Sequence, residues 1–124
     1  MSLEILIDKL KEYTIKIKVL ENAAQEVLAK DHDLSGYREN MRQKAEILHD
    51  LPDGLQQTVK QLNLDPHTQK YVKDKLGGFS HGAGKALALD SVFYMAALLY
   101  PEDYRDGDKN DLENFILSLE NNSF

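Results

Sequence analysis

Residues 84–100 of the chain read GKALALDSVFYMAALLY. After Lys85, only Asp90 and Ser91 interrupt the apolar run of Leu87, Ala88 and Leu89 and then of Val92 to Tyr100. A helix that is apolar on nearly every face is one that neighbours surround. The longest uninterrupted apolar run, Val92 to Tyr100, falls well short of the ~20 residues that a membrane span needs. The stretch therefore predicts the central helix of an all-α fold. That fold is a single-domain, up-and-down bundle of about five or six helices, with the more amphipathic segments packed around residues 84–100.

Working outward, Leu3, Leu6, Leu10, Tyr13, Ile17, Leu20, Ala24 and Val27 fall at alternating spacings of three and four. This is a heptad seam, and it predicts one helix from Ser2 to about Lys30, on the order of 40 Å long. Ile5, Ile15 and Val19 lie on the opposite side of it. Scattered exposed apolar residues are common, but a second line also suits a helix that meets a partner subunit. Ser35 is placed to cap a second helix running to Leu51, with Tyr37, Met41, Lys44 or Ala45, Leu48 and Leu51 as its stripe. Pro52 interrupts, and Asp53 with Gln56 has capping-box spacing for a short helix through Leu55, Val59 and Leu62. Asp65 and Pro66 open a fourth helix, which Gly77 closes as a left-handed cap. After Pro101 comes a charged loop, and Asp108 or Asp111 caps a last helix carrying Leu112, Phe115, Ile116 and Leu119. Residues 1–120 thus read as one helical domain, with a frayed tail at 121–124.

The 124 residues are 42% hydrophobic and 29% charged, proportions of a globular chain rather than a disordered one. A net charge of −6 repels a phosphate backbone, so nucleic acid is not an expected partner. With no cysteine, thiolate metal sites, disulfides and cysteine nucleophiles are excluded. Glu4, Asp8 and Glu12 break up the N-terminal apolar residues, which does not suit a secretory signal. The expected setting is cytoplasmic, away from the membrane.

Three constellations could carry chemistry. The Gly-rich segment from Gly77 to Lys85 lacks P-loop spacing, because five residues separate Gly78 from Gly84 and Ala86 follows Lys85. What survives is an anion site of free N–H groups at a helix start, with His81, Gly82, Gly84 and Lys85 as its candidates. The plainer reading is a cap, a turn and a helix start that lets another helix approach closely. Glu46 and His49 stand three apart on one helix face, half of the motif by which bundles hold two metal ions, but no second Glu-x-x-His exists.

The run Ile47-Leu48-His49-Asp50-Leu51 resembles the signature of the HD-type metal-dependent phosphohydrolases. The resemblance covers five residues and implies a divalent metal that activates water. On it, His49 and Asp50 would be ligands, His32 the earlier histidine, and Asp90 or Asp111 the late carboxylate. Without it, His49 meets the negative end of its helix and Asp50 begins the next cap. Arg42 and His49 also fall within the loose spacing of HEPN-type RNases, with Gln43 where a polar Asn or Asp is usual. Asp90, between Ala83, Ala86, Tyr94 and Ala97 on its expected helix, is expected to be buried and paired with Tyr13 or a lysine.

The length of the seam on the first helix and the incomplete ligand sets favour a non-enzymatic interaction or adaptor protein that self-associates or binds a helical partner. No cofactor is expected on that reading. The alternative is a His and carboxylate metallohydrolase with candidates His32, Glu46, His49, Asp50 and Asp90, which alone would require a divalent metal.

Overall fold

The computed structural model describes residues 3–124, and the expected start of the first helix at Ser2 lies outside them. Six helices are present among the described residues, with no strand. They are α1 (Glu4–Asp31), α2 (Leu34–His49), α3 (Leu51–Leu62), α4 (Pro66–Ala88), α5 (Val92–Ala97) and α6 (Asp111–Glu120). The all-α bundle expected from the sequence is the observed architecture. No helix among the described residues is long and apolar enough to cross a membrane.

The heptad seam sets how α1 lies. Leu6, Leu10, Ile17 and Ala24 are buried along one side, and each large side chain so buried stabilises the fold by roughly 1.5–3 kcal/mol. His32 closes the helix in the left-handed conformation, its N–H bonded to Leu28 O at 3.1 Å. Asp33, not Ser35, then caps α2 by accepting from the Gly36 N–H at 2.8 Å. A Cβ on Gly36 would stand 2.5 Å from the Asp33 carboxylate, so a larger residue there would have to displace the capping side chain.

Helix α3 follows α2 after Asp50 alone, and Pro52 sits in its first turn instead of interrupting the chain. The capping box expected from Asp53 and Gln56 does not form, because Asp53 already lies inside the helix. Asp65 caps α4 through the Thr68 N–H and hydroxyl, both at 2.9 Å. Those bonds hold the Asp65 carboxyl below the usual carboxylate range.

The largest departure from expectation concerns residues 77–100. Gly77 does not end α4, which runs unbroken through Gly77, Gly78, Gly82 and Gly84 to Ala88. Glycine costs a helix interior about 1 kcal/mol relative to alanine. Burial of Val72, Leu76, Ala83 and Ala86 against neighbours outweighs that cost. The chain instead turns at Leu89, Asp90 and Ser91, so the expected central helix at 84–100 is divided between the end of α4, a corner and α5. Asp90 takes φ 49° there, and the Ser91 hydroxyl caps α5 by accepting from Tyr94 N–H at 3.2 Å.

The central position belongs to α2, which touches α1, α3, α4 and α5. Helix α6 lies against α1 and reaches α4, where Tyr71 and Ser118 share a hydrogen bond at 2.8 Å and Phe115 contacts Tyr71 and Phe79. Asn110 provides the α6 cap, in a capping box with Glu113, where Asp108 or Asp111 was expected. In the tail expected to fray, Phe124 stacks on Tyr71 at 4.7 Å and on His67 at 5.9 Å.

Candidate functional site

The residues singled out for chemistry do not converge. His32 and His49 flank opposite ends of α2, a separation of roughly 24 Å for a helix of this length. His49 Nδ1 lies 3.3 Å from Ser80 O, and the Ser80 hydroxyl donates to His49 O at 2.7 Å. The ring rests against Gly84, where a Cβ would come within 3.2 Å of Nδ1. His49 is therefore part of the α2–α4 contact. Glu46 and Asp50 face a different, open hollow, which they line with Tyr13, Lys16 and Asp53.

Asp90 is exposed instead of buried, and it pairs at 3.7 Å with Arg38 near the other end of α2. The reason is the corner itself: a left-handed residue between two helices projects outward, so no buried donor is needed. Neither Tyr13 nor a lysine meets it. Among the described residues, no group of three or more His, Asp or Glu side chains is placed to hold a metal ion. The ligand set implied by the phosphohydrolase resemblance is thus not assembled by His32, His49, Asp50 and Asp90.

The anion-site candidates fare similarly. His81, Gly84 and Lys85 line one shallow hollow with His49, whereas Gly82 faces Leu98 in a separate groove. An anion site needed free N–H groups at a helix start. Because α4 is continuous here, those groups serve the helix ladder.

A polar cluster that the sequence reading did not single out lies in the core. Lys44, one of two alternatives with Ala45 for a position in the stripe of α2, is completely buried, and so is Ala45. Its Nζ donates to Glu21 Oε2 at 2.9 Å and to Ala96 O at 3.0 Å, and it lies 5.0 Å from the centre of the Tyr100 ring. The Tyr100 hydroxyl donates to Glu21 Oε1 at 2.8 Å. Burial pushes the Lys44 ammonium below the ordinary lysine range, partly offset by Glu21. Burial, followed by the Glu21 hydrogen bond, raises the Tyr100 phenol far above its usual value. A lysine with these partners and no solvent access is a clamp joining α1, α2 and α5 rather than a nucleophile. The one available signal was a lysine standing at a core position of a helical stripe.

Two surfaces remain open. On α1, Ile5, Ile15 and Val19 are 57%, 64% and 61% exposed along the side opposite the buried seam. At the α4–α5 corner, Leu89, Phe93 and Tyr94 are exposed as well. There a groove of about 490 Å³ is lined by Gly82, Lys85, Leu89, Tyr94, Ala97 and Leu98. Compared with known proteins, the chain matches no protein-family model, no curated protein and no solved structure. The reading of these surfaces therefore rests on their chemistry alone.

Proposed function

We propose that this chain is a non-enzymatic helical interaction module that self-associates through the outward face of α1. The observation that carries the reading is the line of Ile5, Ile15 and Val19, each more than half exposed, on a helix whose other side is already committed to the core. Large apolar side chains aligned on one open helix face are what helical association sites present, because burying them against a partner removes apolar surface from water. The positions of two candidates for the metallohydrolase alternative support the same reading: His49 is held in the α2–α4 contact, and Asp90 stands exposed beside Arg38.

Sedimentation equilibrium tests the proposal. Association is expected at tens of micromolar, a range chosen for weak helical contacts. The double variant Ile15→Asp with Val19→Asp should sediment as a monomer while keeping the parent far-UV circular dichroism, since both positions are exposed. A parent chain that stays monomeric throughout that range overturns the proposal.

A further inference from the structure

We infer that a furrow running along α4 from Gln69 to Ala88 is a docking site for an amphipathic helix of another protein, one that carries carboxylates beside its apolar stripe. The inference adds a second surface to the proposed interaction module and does not depend on self-association through α1.

Two hollows make up the furrow. One, of about 340 Å³, lies between α3 and α4, with Pro52, Val59 and Leu76 as its floor and Lys60, Lys73 and two glutamines along its rims. The other, of about 460 Å³, lies between the end of α2 and α4, where His49, Ser80, His81, Lys85 and Ala88 line it. Pro52 and Gly77 belong to both, so the hollows join end to end. From Gln69 to Ala88 the helix is continuous, a run of roughly 28 Å or about five turns. A partner helix of that length seats in such a groove by laying its apolar residues on the floor.

Gly77 marks where the occupant passes. Glycine weakens a helix interior unless a backbone conformation or a close neighbour requires it. Neither reason exists for Gly77 within the chain: its φ is not positive, and a Cβ placed on it would meet nothing within 4 Å. Gly84, by contrast, is accounted for by the His49 ring at 3.2 Å. At the junction of the two hollows, the bare backbone of Gly77 keeps the furrow continuous and lets a second helix approach closely. Gly78 likewise meets nothing, but it stands on the α6 side of α4, in a hollow with Asp111 and Phe115.

Charge selects the partner. Helix α4 carries Lys70, Lys73, Lys75 and Lys85 against the single acid Asp74, in a chain of net charge −6. Asp74 is tied to Lys70 at 2.8 Å, so those two cancel at the outer rim. The side chains of Lys60, Lys73, His81 and Lys85 make no hydrogen bond or ion pair among the described residues. Asp53, beside Pro52, is the one carboxylate among the described residues that lines the furrow, while Glu46 and Asp50 line the separate hollow beside Tyr13. Carboxylates along the edges of an apolar stripe meet these free lysines, whereas a basic helix would oppose them with like charge. A phosphate backbone has no apolar stripe to cover Val59 and Leu76, and the net charge of the chain repels it.

A display library of helices about eighteen residues long tests this, with a fixed leucine stripe and flanking positions drawn from Glu, Lys, Gln and Ser. Selection against the full chain should enrich Glu at the flanking positions, and the most enriched helix is then titrated by fluorescence anisotropy. Gly77→Leu, at an exposed site with open space, should raise Tm yet weaken binding by about tenfold or more. Gly78→Leu should also raise Tm but keep the parent's affinity, and Lys60→Glu with Lys73→Glu should weaken binding as Gly77→Leu does. If far-UV circular dichroism shows that Gly77→Leu is not folded, Gly77→Gln replaces it. No enrichment of Glu, or equal binding by the parent and Gly77→Leu, overturns the inference. An oligothymidine of about twenty nucleotides that binds more tightly than the selected helix, and loses affinity in the same variants, also overturns it. Loss of self-association in Gly77→Leu would make the occupant a second copy and overturns it as well. A parent that is monomeric yet binds the helix removes self-association and leaves this inference standing.

Discussion

Helix α1 and the stretch 84–100 are both rich in apolar residues, yet one is a single helix with a dry side and a wet side, and the other is bent at Leu89–Ser91 and leaves Leu89, Phe93 and Tyr94 exposed. The difference lies in where the polar residues stand. Most turns of α1 carry charged residues on the outward side, so one rotation about its axis buries Leu6, Leu10 and Ile17, and the charge that does turn inward, Glu21, is met by Lys44. The stretch 84–100 has no such polar stripe. Its course is decided by one contact within it and one from outside: the Ser91 hydroxyl caps α5, and the Lys44 ammonium takes the Ala96 carbonyl near the end of α5.

The clamp at Lys44 joins the two regions, and its loss should produce the largest effect. Lys44→Ala leaves Glu21 largely buried and removes the donor to Ala96 O, so a loss of about 3–5 kcal/mol is expected in urea denaturation. Lys44→Met combined with Glu21→Gln should recover much of that loss, because no unpaired charge remains. A cost below about 1 kcal/mol for Lys44→Ala would mean that the corner is held by apolar packing instead.

The two sides of α1 can be compared two residues apart. Ile17→Ala empties a site that is 1% exposed and should cost about 2–4 kcal/mol. Ile15→Ala should stay within about 0.5 kcal/mol when measured at concentrations where the chain is monomeric. Equal costs would contradict the one-sided reading of α1.

A smaller loss than at Lys44 or Ile17 is expected at the corner cap. Ser91→Ala removes the acceptor for the Tyr94 N–H and should cost about 1 kcal/mol by thermal unfolding. No measurable change would show that α5 is positioned by Met95 and the Lys44 contact alone.

Much of the fold was legible. The spacing of Leu6, Leu10 and Ile17, the Asp65-Pro66 start of α4 and the buried set Leu112, Phe115, Ile116 and Leu119 of α6 all stand as read. Periodicity and capping chemistry act within a few residues, and a local signal can be read locally. The candidate site was less legible. The exposed line Ile5, Ile15 and Val19 was visible because it shares a helix with its own buried counterpart. The groove beside α5 was not, because it exists only where the chain turns between α4 and α5.

By itself, the sequence determined that the chain is helical, where α4 begins, and which side of α1 enters the core. Tertiary structure alone decided three other things. It carried α4 through four glycines, because the burial gained along one face exceeds the local preference to stop. It bent the most apolar stretch at Asp90, because a run without a polar face has no preferred side to keep dry. It placed a lysine in the core, because Glu21, Ala96 and Tyr100, distant in the chain, together satisfy a charge that no local neighbour could.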